Sequence, residues 1–178
     1  MELSDRIVWD KMREGDEAAF ASIYQQYAKQ LYLYGLKFTG NTALIEDCIQ
    51  DLFISIFKNQ RISSTDSIRF YLIRSFRNKL LRAMKREGLH HNENDYTNDF
   101  LVIYSIERTI VEKETSDEQQ ALLRKAVNEL SARQKEAVYL RYTKGLTYEQ
   151  VAEIMDMEIV SCRNLISKAI KKLREIVK

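Results

Sequence analysis

The chain of 178 residues has no proline, and only five glycines, two cysteines and two histidines. With so few breakers, little in the sequence interrupts a helix, and abundant Leu, Ile, Lys, Arg, Glu and Gln favour helix throughout. Sheet is not indicated, so the expected class is all-α. Cys48 and Cys162 lie far apart on apolar helix faces, which reads as two small reduced core residues and not a disulfide. No apolar run approaches the about 20 residues of a membrane span. Residues 1–14 are too charged for a signal peptide. The expectation is a cytoplasmic protein with no membrane insertion. The adjacent His90 and His91 have no Cys or carboxylate partners at ligand spacing, so neither a metal nor a cofactor is expected.

Charge is plentiful and segregated. The total is only +2, yet residues 1–68 carry −3, residues 69–86 carry +7, residues 87–118 carry −7 and residues 119–178 carry +5. Two basic blocks around an acidic connector point to two contacts on one nucleic acid. The corresponding architecture is two small helical domains joined by a linker: residues 1–88, an acidic linker over 89–117, and a helix-turn-helix domain over 118–178.

The helix-turn-helix is the most explicit pattern. Apolar spacing through Ala137, Val138, Leu140 and Tyr142 stops at Gly145, a residue suited to positive φ after a helix. Thr147 with Gln150 three residues on forms a capping box for the next helix, whose buried side is Val151, Ala152, Ile154 and Met155. A third helix follows from Ile159, with Cys162, Leu165, Ile166, Ala169, Ile170 and Leu173 on one stripe and mostly basic residues off it. Early residues of such a helix reach base edges in the major groove. By position these are Ser161, Arg163, Asn164 and Lys168, with Arg163 suited to guanine and Asn164 to adenine. Lys171 and Lys172 would grip phosphate.

In the first domain, a short helix near residues 7–12 precedes an Asp16-capped helix with a stripe of Phe20, Ile23, Tyr24, Tyr27, Leu31, Tyr34 and Phe38 that runs on toward Gly40. The helix over 44–58 buries Ile45, Cys48, Ile49, Leu52, Phe53, Ile56 and Phe57, and turns Glu46, Asp47, Gln50, Asp51 and Ile54 outward. Asp47 and Asp51, one turn apart, suit a metal or acid–base pair, a solvated face, or a docking surface extended by Ile54. A polar loop over 60–67 leads to a Ser67-capped helix in which aromatics alternate with seven cations. Aromatics beside cations suit single-stranded bases. Most of the rings must be core, which leaves Tyr71 and Asn78 at the edge for base contact.

Together these residues resemble the extracytoplasmic-function (ECF) subfamily of bacterial sigma factors. The stretch GDEAAFASIYQQYAKQLY is similar to the opening of the family's first conserved region, and IEDCIQDLFISIF to its signature helix. The resemblance implies that Asp47, Gln50, Asp51 and Phe53 dock on core RNA polymerase, which removes the enzyme reading. It also implies that the 60–67 loop, with Arg61, Ile62, Ser63 and Ser64, captures a base flipped from the downstream promoter element, helped by Tyr71, Arg74 and Asn78. The implied partners are core polymerase, double-stranded promoter DNA and the melted non-template strand, and the resemblance admits an anti-sigma factor. Two competing classes are a stand-alone helix-turn-helix regulator, which leaves the Asp47 helix and the basic block over 69–86 unexplained, and a metal-dependent nuclease using Asp47 and Asp51.

Overall fold

The computed structural model describes residues 5–59, 62–88 and 125–177. The expected linker over 89–117, the first residues of the 118–178 domain, and Arg61 lie outside them. Every regular element among the described residues is helical. The chain divides into two compact units, Met1–Glu93 and Asn94–Lys178.

The described residues of the first unit form four helices: α1 (Asp5–Arg13), α2 (Glu17–Gly35), α3 (Thr42–Lys58) and α4 (Ile68–Arg86). Three begin at a side-chain cap that satisfies an otherwise orphaned backbone N–H. Asp16 accepts from Ala19 N, Asn41 from Leu44 N and Ser67 from Phe70 N. Helix α2 stops at Gly35, short of Gly40, because Lys37 N and Phe38 N bond to Tyr34 O and Gly35 O and tighten the chain into a turn. Gly35 is where α2 meets its neighbours: a Cβ there would lie 2.8 Å from Ile45 Cγ2 and 3.1 Å from the Phe76 ring. Around it Ile23, Leu31, Tyr34, Ile45, Leu72, Phe76 and Leu80 are buried, each such side chain contributing about 1.5–3 kcal/mol. Two expected core residues are not core. Tyr24 is 41% and Phe57 49% exposed, because they lie at the edges of stripes wider than the groove each helix faces.

The second unit is built on α7 (Ile159–Val177), against which α5 (Ala132–Val138) and α6 (Tyr148–Ile154) pack. Ser131 with Gln134 and Thr147 with Gln150 form reciprocal capping boxes on α5 and α6. The first helix of the motif does not run regularly to Gly145. From Tyr139 to Thr143 it widens into a π-helical turn closed by Lys144 N on Tyr139 O at 3.1 Å. The extra residue leaves Leu140 buried and puts Tyr142 outside, 57% exposed, against the inward position its spacing predicts. Gly145 then takes φ +69 as expected, and Asp156 adopts φ +50 in the turn between α6 and α7.

Candidate polymerase and nucleic-acid interface

On α3 the structure separates the four expected docking residues. Asp47, Gln50 and Asp51 are exposed on the outer face with Ile54. Phe53 is only 3% exposed, with its ring 4.9 Å from Tyr24 and 6.0 Å from Phe20. The expectation that Phe53 touches a partner is corrected: it belongs to the core beneath the strip. Its apolar place on the surface is taken by Ile54, Tyr24 and Phe57, the last packed 4.9 Å from Phe20. A ring at the edge of a periodic stripe was the available signal for the last two. The Asp51 carboxylate lies 3.5 Å from Lys79 Nζ of α4. Among the described residues no group of three or more His, Cys, Asp or Glu is placed to hold a metal.

The loop before α4 is not free. Ile62 is 7% exposed, so its expected base contact is corrected as well; an isoleucine in a polar loop finds the core and pins the segment. Ser63 and Ser64 are exposed, but both are held by α1. Trp9 Nε1 donates to Ser63 O at 3.0 Å, and Ser64 Oγ donates to Asp10 Oδ1 at 2.8 Å. Asp5 Oδ2 accepts from Ile68 N at 3.0 Å, capping α4 from 63 residues away, and Arg6 lies 3.6 Å from Asp66. The hydrogen bond from Ser64, then that from Arg13, hold the Asp10 carboxyl below its usual range. Sequence reasoning missed these α1 residues, since no local pattern links positions so far apart. The Trp9 ring, fully buried, meets Tyr71 edge-on at 4.8 Å. Tyr71 is half-buried, and Arg74 and Asn78 are exposed one and two turns along the same face of α4. Trp9 thus links Ser63 to Tyr71, and Arg74 and Asn78 continue from Tyr71 along α4.

On α7, Cys162, Ile166 and Ala169 are buried. Ser161, Asn164, Lys168 and Lys171 fall on the opposite, exposed face. Val160, 70% exposed, stands one turn before Asn164 and was missed; a β-branched residue off the apolar stripe of the helix was the signal. Arg163 lies on the flank. Its Nη2 donates to Glu149 Oε1 at 3.1 Å and its guanidinium sits 5.6 Å from the Tyr148 ring centre. The Glu149 carboxyl is held below its usual range by its own backbone N–H and the Thr147 hydroxyl, and then by Arg163. Lys172 is engaged by the carbonyl and carboxylate of Glu129, and Lys171 lies 3.9 Å from Glu175. Burial raises both thiol pKa values, Cys48 and Cys162.

An acidic–apolar strip and a basic helix in one unit, with a helix-turn-helix in the other, define a transcription factor of modular helical construction. Two family models cover its two halves: Sigma-70 region 2 matches residues 23–89 and Sigma-70, region 4, matches residues 120–173. The chain belongs to the sigma-70 family, in the ECF subfamily. It is 22% identical over 175 residues to the ECF RNA polymerase sigma-E factor of Haemophilus influenzae, covering 94% of this chain and 92% of that one. It is 21% identical over 154 residues to the ECF RNA polymerase sigma factor SigM of Bacillus subtilis, covering 86% and 92%. Its fold is similar to that of the sigma factor RpoE of Bartonella quintana, solved with the anti-sigma factor NepR (23% identity, TM-score 0.58, 89% and 96% covered). CnrH in complex with the cytosolic domain of CnrY also shares it (15% identity, TM-score 0.59, 98% and 97% covered). The region 2 match accounts for the first basic block that a stand-alone regulator leaves unexplained.

Proposed function

We propose that this sigma factor binds core RNA polymerase and directs promoter-specific initiation, with its two units dividing the work. In the first unit Asp47, Gln50 and Asp51, with Ile54, dock on polymerase, and the segment after Arg61 together with Tyr71, Arg74 and Asn78 receives the melted non-template strand. In the second unit α7 reads the double-stranded upstream element through Ser161, Asn164 and Lys168. Arg163 joins them on leaving Glu149, and Lys171 holds phosphate. Lys172 serves there to the extent that Glu129 releases it. The factor supplies no catalysis; it positions the polymerase, and it acts in the cytoplasm with it. No described helix is long and apolar enough to cross a membrane. An anti-sigma factor is a fitting partner, as the Bartonella relative was solved with one.

The observation that carries this reading is the outward face of α3, where carboxylates stand beside a half-exposed Ile54. Folding alone has no use for that combination, and it suits a basic partner with an apolar centre. Purified protein added to bacterial core polymerase is expected to start run-off transcription at a defined site. A requirement for a second sigma factor in the same reaction would overturn the proposal.

A further inference from the structure

Helix α1 packs Trp9 and Met12 into the unit against α2, and its remaining contacts have a second direction. It is short, and of its nine residues only Trp9 and Met12 are buried. Four of its side chains are also directed at one target. Asp5, Arg6, Trp9 and Asp10 each engage residues 63–68, through three hydrogen bonds and an ion pair that cross more than fifty positions of sequence. These contacts fall on different parts of the segment: a backbone carbonyl at Ser63, a hydroxyl at Ser64, a carboxylate at Asp66 and a backbone N–H at Ile68. Ile62 anchors the same segment from the core side. Residues 63–67 have no regular structure and would otherwise sample many shapes.

We propose that α1 is a positioning element for promoter opening, and that Asp5, Trp9 and Asp10 hold residues 63–68 in the shape that receives a flipped base. This rests on the proposed role of that segment in melting. Unpairing a base is uphill, and a receiver already in its bound shape returns more of that cost than one that must first be ordered. Trp9 has a second consequence, because its ring also abuts Tyr71. One residue therefore sets both the segment and the aromatic edge of α4 beside it. Asp10 and Ser64 contribute the link that is easiest to cut without disturbing the core, since both are outside it.

The test compares full-length variants with core polymerase on a duplex promoter and on the same promoter with the downstream element pre-opened by mismatches. Where the base is already unpaired, opening no longer limits the rate, so weaker capture is not seen. Asp10→Ala, which cuts the Ser64 link and also gives up the Arg13 and Arg6 pairs local to α1, is expected to slow opening of the duplex on the order of three- to ten-fold, near the value of one charge-assisted hydrogen bond partly replaced by water, and to leave the pre-opened template within about two-fold. Asp10→Asn, which keeps the acceptor for Ser64, should restore most of the rate. Ser64→Ala added to Asp10→Ala should bring no further loss. Trp9→Phe, which keeps a ring against Tyr71 but lacks the N–H donor, should show the same duplex-selective defect. Equal losses on both templates, or duplex opening at the parental rate in Asp10→Ala and Trp9→Phe, would overturn the role of α1. An exchange of residues 63–67 separates this from the parent reading. If the exchange has no effect on the duplex, the melting role of the segment itself fails; if it matters while the α1 variants do not, only the inference about α1 fails.

Discussion

The Asp51 carboxylate and the Lys79 ammonium face each other at 3.5 Å across α3 and α4, so the acidic strip and the basic helix share a charge pair. This decides how the strip is best tested. Asp51→Lys would set two cations side by side and disturb both surfaces. Asp47→Lys with Asp51→Asn reverses one charge, removes another and leaves Lys79 unopposed. An exposed pair of this kind is worth about 0–1 kcal/mol, so thermal stability should hardly change. Affinity for core polymerase should fall on the order of ten-fold or more, as like charges meet across the contact. A binding titration that returns the parental affinity would take the strip out of the docking surface.

Gly35→Ala should destabilise the first unit. The new methyl would have to lie within 2.8 Å of Ile45 Cγ2 and 3.1 Å of Phe76, and overpacking of this sort costs about 1–3 kcal/mol. The roughly 1 kcal/mol by which alanine is favoured over glycine inside a helix offsets only part of it. Urea denaturation reads the difference, and a gain in midpoint would show that Ile45 can move aside.

Asp156, at φ +50, sets the turn that aims α7. Left-handed backbone costs most residues about 1–2 kcal/mol and is tolerated best by Gly, Asn and Asp. Asp156→Asn should be neutral within about 0.5 kcal/mol by thermal melting, while Asp156→Val should lose stability and upstream-element affinity together. If the valine variant melts and binds like the parent, the turn is not under conformational constraint.

Val160 is predicted to meet a thymine methyl, the only apolar group on a base edge in the major groove. Its exposure and its place one turn before Asn164 put it on the reading face. Val160→Ala should weaken binding to an upstream element by about 1 kcal/mol, near the value of a small apolar contact. The loss should vanish when one thymine is replaced by uracil. Equal losses on thymine and uracil DNA at every position would count against the contact.

Arg163→Ala should change which upstream sequence is preferred, whereas Lys171→Ala should weaken all sequences alike and reduce the salt slope by about one unit. Glu149→Gln adds a control from the structure. With its 3.1 Å partner neutralised, Arg163 should bind DNA more readily at low salt. No change in Glu149→Gln would mean that the pair is too weak in solution to hold Arg163 back.

Much of the fold was legible because its signals are local. Asp16, Ser67 and the Thr147–Gln150 box each act on a backbone N–H within three residues, and the α7 stripe repeats within a single helix. The residues that escaped reading depend on distant neighbours. Nothing near Trp9 announces Ser63, and Ile62 looks like loop until the core beneath it is seen. Tyr24 and Phe57 fit a helical period, but period alone cannot say how wide a groove the rest of the unit will offer. The π-helical turn is the converse case: Tyr139 to Thr143 carries good helix spacing, and only its closure on Lys144 shows the extra residue. The exposed face of α7 was legible from its apolar stripe, while the engagement of Arg163 and Lys172 by acidic residues of other elements was not.

Both cysteines of the chain lie inside, Cys48 at 4% and Cys162 at 0% exposure, and burial disfavours their thiolates. Since the thiolate is the reactive form, the native chain offers little to a maleimide under gentle conditions. A cysteine introduced on an exposed position of α4 or α7 would therefore take a fluorophore almost alone, with neither natural cysteine removed. Strand opening and upstream binding can then be followed as separate optical signals in the otherwise unaltered protein.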